Sequence, residues 1–291
     1  MKNLTILVDS GCDLPLQFIK ENNVPYLGIA VNFKGNEYFE DFGQTLSYKE
    51  FYDEVRKGEM PSTSQINSYR FQEMFKKLHK EGKSIIYLAF SSALSGTYNS
   101  ALMAKEEVMN EFPDADITII DTKAASMGVG LIVYYAYELL NKGASKEEII
   151  KWVEDNIPHT IHWFTVDDLN HLKRGGRISA TSAALGTLLA IKSVLHVNDS
   201  GQLINVSKAK GRKKSIKELF ENFEKHVVNP EGQMIFISHG DCLEEAETLA
   251  NMIKEKYKVK DVVLNHVGPV IGSHSGPGTI ALFFLGDNRQ P

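Results

Sequence analysis

The stretch "IIYLAFSSALSGTYNSALMA", Ile85–Ala104, joins an apolar run to a helix-forming run through hydroxyls and one glycine. The apolar run stops at Ser91 and Ser92, and Ser95-Gly96-Thr97 precedes the helix formers. A short apolar run bounded by turn residues reads as a buried strand. Strand, polar turn and helix in that order form part of a βαβ unit, so the stretch points to a parallel sheet covered by helices. The turn itself has two readings. Its hydroxyls cap the helix, or they hold an anion or arm a nucleophile. Open α/β sheets bind ligands at that end of their strands, where helix N-termini point.

Outward from this stretch the alternation continues. "LTILVD", "VPYLGIAVNF" and "DITIID" read as strands. "SYKEFYDEVRKG", "SYRFQEMFKKLHKEG", "MGVGLIVYYAYELLNKG" and "SKEEIIKWVEDNI" read as helices. Ser47 with Glu50 three residues later is a capping-box pattern. Near Pro158 the texture changes. "HVNDSGQLINV" reads as a hairpin around Asn198-Asp199-Ser200-Gly201, and antiparallel pieces mix with βα pieces. The expected fold is α/β with two domains, a parallel βαβ sheet over residues 1–157 and a mixed α/β domain over 158–291.

The chain has 291 residues and a net charge of −5, which disfavours a nucleic-acid binder. Its two cysteines, Cys12 and Cys242, form neither a CxxC pair nor a zinc signature. "MKNLTILVDSG" lacks the apolar core of a signal peptide, and no apolar run reaches membrane-spanning length. A cytoplasmic protein with reduced thiols is expected.

Hydroxyls gather in three clusters at the ends of expected strands: Ser62, Thr63 and Ser64; Ser91, Ser92, Ser95 and Thr97; Thr122 and Ser126. Each alone reads as a cap; three on one expected edge favour an anion site. A P-loop is absent, and "GPGTIA" (276–281) sits before a strand instead of between a strand and a helix. "SALSGTY" lacks the first glycine of a hydrolase elbow. Ser95 as a nucleophile, with His239 or His274 as base, stays open.

"LKRGGRIS" places Lys173, Arg174 and Arg177 around two glycines, as a solvated turn or an arginine fork for an anion. "PVIGSHSGPG" places His274 in a glycine-dense loop able to wrap a ligand. His159 and His162 lack further ligands at metal spacing. Lys208, Lys210, Arg212, Lys213 and Lys214 form either a solvated loop or a docking patch.

Taken in order, "ILVDSGCDLP", "STSQIN", "SSALSGTYNSA", "DTKAASMGVG", "LKRGGRIS" and "GPVIGSHSGPG" resemble the DegV family over essentially the whole chain. The resemblance implies a two-domain α/β protein that binds a long-chain fatty acid. It also implies the fatty-acid-binding (FakB-type) subunit of a bacterial fatty acid kinase, whose ATP site lies on another chain. Carried over by residue, Thr63, Ser95 and the Gly96 N–H grip the carboxylate, with His274 and Arg177 beside them. Arg212, Lys210 and Lys213 would face the kinase. "SAALGTLLAI", "MIFIS" and "IALFFL" are candidate walls for the acyl chain. No cofactor, metal or catalytic residue is implied, and membrane contact would be transient at most. The alternatives are a serine hydrolase using Ser95 and a binding module for a phosphorylated metabolite.

Overall fold

The computed structural model describes residues 3–178 and 191–290. In chain order its first part runs β1 (Asn3–Asp9), α1 (Leu16–Glu21), β2 (Tyr26–Leu27), β3 (Ala30–Phe33), β4 (Asn36–Phe39), α2 (Tyr48–Arg56), β5 (Ser62–Ser64) and α3 (Ser68–Lys80). Then come β6 (Lys83–Ala89), α4 (Thr97–Glu111), β7 (Ile117–Asp121), α5 (Met127–Asn141) and α6 (Lys146–Asn156). The rest comprises β8 (Thr160–Val166), α7 (Asn170–Arg174), β9 (Ile191–Val197), β10 (Leu203–Lys210), α8 (Arg212–His226), β11 (Met234–His239), α9 (Leu243–Lys256), β12 (Asp261–His266), α10 (Pro269–Ser275) and β13 (Ile280–Leu285).

Strands β2, β1, β6 and β7 pair in that order as a parallel sheet. Side chains alternate across a strand, so a sheet covered on both faces needs apolar residues at every position. Ile6, Val8, Ile86 and Leu88 accordingly pack with α5 residues, while Leu7, Ile85, Tyr87 and Ala89 pack with α3 and α4 residues. A second, mixed sheet has the order β10-β9-β8-β13-β11-β12. One of its faces joins the core around α5 through Phe164, Leu195, Phe236 and Phe283. The other, through Ile161, Trp163, Ile237 and Phe284, packs on α8 and α9. Helix α5 lies between the two sheets, which explains a helix with buried residues on all sides.

Four local expectations change. "VPYLGIAVNF" splits between two sheets, because Gly28 passes so close to the Glu40 backbone that a Cβ there would lie 2.4 Å from its carbonyl oxygen. Thr63 does not lie at the carboxyl edge of the parallel sheet; β5 belongs to a small antiparallel sheet, β4-β3-β5, where Thr63 faces Val31. "PVIGSHSG" is the short helix α10, opened by Pro269 and ended by Gly276 at φ +76°. "LKRGGRI" is likewise the end of α7 and its exit, with no hairpin turn.

Candidate functional site

Four separate segments meet at one mouth. Ser95 and Gly96 precede α4, Thr63 lies on β5, His274 occupies the last turn of α10, and Arg177 follows α7. Thr63 Oγ1 is 2.8 Å from His274 Nε2. Ser95 Oγ accepts from the Thr97 N–H at 3.2 Å and donates to Thr97 Oγ1 at 3.0 Å, so it satisfies the first N–H of α4 from the position before the N-cap, Gly96. Thr97 Oγ1 also accepts from the Ile66 N–H at 3.3 Å, which ties the segment after β5 to the start of α4. Gly96 lies under Gln65: a Cβ would stand 1.9 Å from Gln65 Oε1. Arg177 donates from Nε to the Leu94 carbonyl at 3.1 Å and from Nη1 to the Gly175 carbonyl at 2.5 Å. The bare Cα of Gly175 faces His274 Nδ1, which has no hydrogen-bond partner among the described residues.

Behind the mouth lies a cavity of about 250 Å³. That exceeds the ~150 Å³ of apolar cavities that hold benzene. Thr63, Ser64, Gln65, Ser95, Gly96, Arg177 and His274 all line it, and Ser64 and Gln65 are exposed, so the polar end is the open one. Its floor is the mixed sheet. The strand ends β8 and β13 nearest the mouth lead into α7 and out of α10. One row of the floor is Phe164, Ala281 and Ser238, paired across β8, β13 and β11. The next row inward holds His162 paired with Phe283. Val197, one step beyond the Trp163–His196 pair, and its partner Leu203 extend that row. Phe90, Leu94, Val267, Val270 and Ile271 close the sides.

Burial, aided by the Arg177 charge, lowers the His274 pKa to about 4, so its imidazole is neutral near pH 7. Burial also drives His162 well below the usual histidine range and lowers Arg177. Ser126, at the start of α5, donates to buried Asp13 at 2.5 Å and lies 3.1 Å from Ser238. Burial raises Asp13 to about 7 and neighbouring Glu40 to about 8.

The five residues expected at an anion thus line a single cavity. The other hydroxyls of the opening stretch are structural: Ser91 donates to the Gly201 carbonyl and Ser92 to Asp121. No described histidine is hydrogen-bonded to Ser95; His274 bonds Thr63 and His239 accepts from the Cys242 N–H. Arg212, expected in a docking patch or a solvated loop, is largely buried and held by Glu245 at 2.8 Å, while Lys210 and Lys213 are exposed. Arg174 is turned to His171. "MIFIS" and "IALFFL" do supply floor residues; residues 182–190 of "SAALGTLLAI" lie outside the described ones. Ser126, from the third hydroxyl cluster, and Ser238, from "MIFIS", also line the cavity. Gln65 and His162 were not singled out as lining residues, and of these two only Gln65, beside Thr63 in "STSQ", carried a local signal. Burial pushes Cys242 up to about 12 and Cys12 well up, so neither thiol is activated. Among the described residues no cluster of three or more His, Cys, Asp or Glu is placed to hold a metal, and no helix is long and apolar enough to cross a membrane.

Fold and cavity define a two-domain α/β protein enclosing an apolar chamber, with hydroxyl, imidazole and guanidinium groups at its open end. The chain belongs to the DegV family: the family model described as "Uncharacterised protein, DegV family" matches residues 3–287. It is 56% identical to a DegV domain-containing protein of Clostridium perfringens, over all of both chains. A fatty-acid-binding DegV family protein from Thermus thermophilus superposes with a TM-score of 0.88 at 31% identity, covering 98% of this chain and 100% of that one. DegV of Bacillus subtilis, a fatty acid binding protein, superposes with a TM-score of 0.85 at 28% identity, covering 99% and 100%.

Proposed function

We propose that this chain binds a long-chain fatty acid and presents its carboxylate to a separate ATP-binding kinase subunit, which forms the acyl phosphate. The observation that carries the first half is the cavity, with hydrogen-bond donors at the open end and apolar walls behind them. The fatty-acid-binding relatives of the same fold support it. Residues 1–157 supply Thr63, Ser95 and Gly96, and residues 158–291 supply His274, Arg177 and the floor.

The geometry suits a carboxylate. A neutral His274 with its proton on Nε2 donates to Thr63 Oγ1, which leaves the Thr63 hydroxyl hydrogen free to point at the ligand. Ser95 offers a second hydroxyl and Gly96 a backbone N–H. Hydrogen bonds to a charged group contribute about 1.5–3 kcal/mol each. Each buried methylene adds about 0.8 kcal/mol, so a tail of ~16 carbons contributes on the order of 10 kcal/mol before ordering costs. The ligand carboxylate at the exposed mouth is reachable by a partner. The chain has no phosphate-binding loop of its own. Lys210 and Lys213 are the exposed cations offered to the kinase; Arg212, already paired, positions the start of α8.

Solvent extraction of protein purified from cells should yield an acyl chain. No acyl chain in the extract, together with no rise in melting temperature on adding palmitate or oleate, would discard the lipid reading. With a fatty acid kinase subunit and ATP, the Lys210→Glu/Lys213→Glu variant should bind the acid normally yet form acyl phosphate several-fold more slowly. Equal rates would remove the docking assignment.

A further inference from the structure

The floor of the cavity ends in a row with one polar member. Leu203, Val197, His162 and Phe283 stand side by side across β10, β9, β8 and β13, one row further from the mouth than Phe164 and Ala281. Two residues along a strand span about 6.8 Å, so this row lies well inward of the first. Among the described residues it is the innermost part of the floor that still lines the cavity.

His162 is fixed there from three sides. Its Nδ1 is 3.0 Å from the Thr160 carbonyl, and its Nε2 accepts from the Ala125 N–H at 3.4 Å. Phe283 meets it edge-on at a ring separation of 5.4 Å. The fourth side is Gly128, in the first turn of α5. A Cβ on Gly128 would fall 2.0 Å from Nε2 and 2.6 Å from Cδ2, far inside van der Waals contact. The ring therefore occupies the space that any other residue at 128 would fill. With the strand below and the helix above, the side that the described residues leave for a displaced ring is the cavity.

We propose that the seating of His162 on Gly128 sets the length of the acyl chain this protein accepts. The inference rests on the fatty-acid reading of the cavity and adds the feature that stops the tail. Two substitutions move the stop in opposite directions. Gly128→Ala drives the ring into the cavity and shortens it. His162→Ala removes the ring and lengthens it. The double variant has no ring for the new methyl to displace, so it behaves like His162→Ala.

The test uses delipidated full-length protein titrated with laurate, palmitate, stearate and arachidate. Gly128→Ala should move the best-bound acid to a shorter one, with about fourfold weaker binding for each methylene no longer accommodated. His162→Ala should move it to a longer one, and the double variant should follow His162→Ala. Length profiles that superimpose on the wild type would overturn the inference, as would equal weakening at every length. If Gly128→Ala fails to fold, His162→Ala and its expected gain for the longest acids decide alone. Should the wild type bind none of the acids, the fatty-acid reading itself has failed. If it binds them and only the variants' profiles stay unchanged, the length stop alone has failed.

Discussion

Two glycines come under the same steric pressure beside the cavity, Gly96 lining its mouth and Gly128 behind His162 at its inner end. A Cβ on Gly96 would lie 1.9 Å from Gln65 Oε1, and a Cβ on Gly128 would lie 2.0 Å from His162 Nε2. The neighbours differ in what they can do about it. Gln65 is exposed, with a single side-chain hydrogen bond among the described residues, to Ser100. His162 is 1% exposed and locked between a strand, a helix and Phe283. The mouth is a polar assembly of loop and helix ends that can rearrange. The floor is packed sheet, which cannot move without strain. Substitutions at the mouth should therefore change affinity and spare stability, whereas those at the floor should change fit.

The largest effect tests the mouth directly. Thr63→Ala/Ser95→Ala removes both hydroxyl donors, and at about 1.5–3 kcal/mol each the affinity for palmitate should fall on the order of 10²–10⁴-fold. The ligand-free melting temperature should stay within a few degrees, since Ser95 loses only its bonds to Thr97 at the start of α4 and Thr63 only its bond to His274. Calorimetric titration beside thermal melting separates the two. Unchanged affinity would move the anion site elsewhere; a collapse in stability would erase the contrast with the floor.

The two ends were unequally legible in the sequence, for a physical reason. Mouth residues sit where strands and helices end, and hydroxyls, glycines and cations stand out there against apolar runs. Ser95, Gly96, Arg177 and His274 were visible that way, although His274 proved helical. Floor residues belong to strands whose apolar pattern any core would share. His162 carried no sign of its role, because its importance comes from register with Phe283 and from Gly128 in another element. Thr63 was found for its hydroxyl and placed in the wrong sheet, because three residues of β5 are too short to reveal their partner. Arg212 read as an exposed cation of a docking patch or a solvated loop because its acid, Glu245, is distant in sequence.

A smaller effect comes from pH, where mouth and interior again diverge. His274 has a folded pKa near 4 against an ordinary 6.5, so the unfolded chain takes up its proton first as pH falls. The stability tied to its neutral form is lost between those values. Asp13 and Glu40 hold protons up to about 7 and 8, and Asp9 is raised in the same direction. Their stability is present at low pH and is lost as pH rises through those values. Above pH 6.5 the carboxyl arm acts without opposition from His274, so melting temperature should decline toward pH 8.5. Each proton can contribute at most about 1.4 kcal/mol per pH unit. Asp13→Asn keeps an acceptor for the Gly268 N–H and should flatten the decline. A slope equal to the wild type's would remove Asp13 from the account.

The smallest effect returns to Gly96. The residue lies at φ −71°, ψ −1°, which alanine adopts without strain, so Gly96→Ala costs nothing in backbone geometry. Its methyl displaces Gln65, whose forced change of rotamer costs about 0.5–1.5 kcal/mol. The restricted unfolded chain offsets roughly 0.4–1 kcal/mol of that, leaving stability almost unchanged. Binding should weaken only several-fold, because the displaced amide crowds the mouth but can swing into solvent. Gly128→Ala meets a similar overlap with no such exit, so it must alter which acid fits. Measuring both variants against the same acids puts the contrast at risk. If Gly96→Ala shifts the preferred chain length, or weakens binding as severely as loss of Thr63 and Ser95, the mouth is as rigid as the floor and the distinction between them fails.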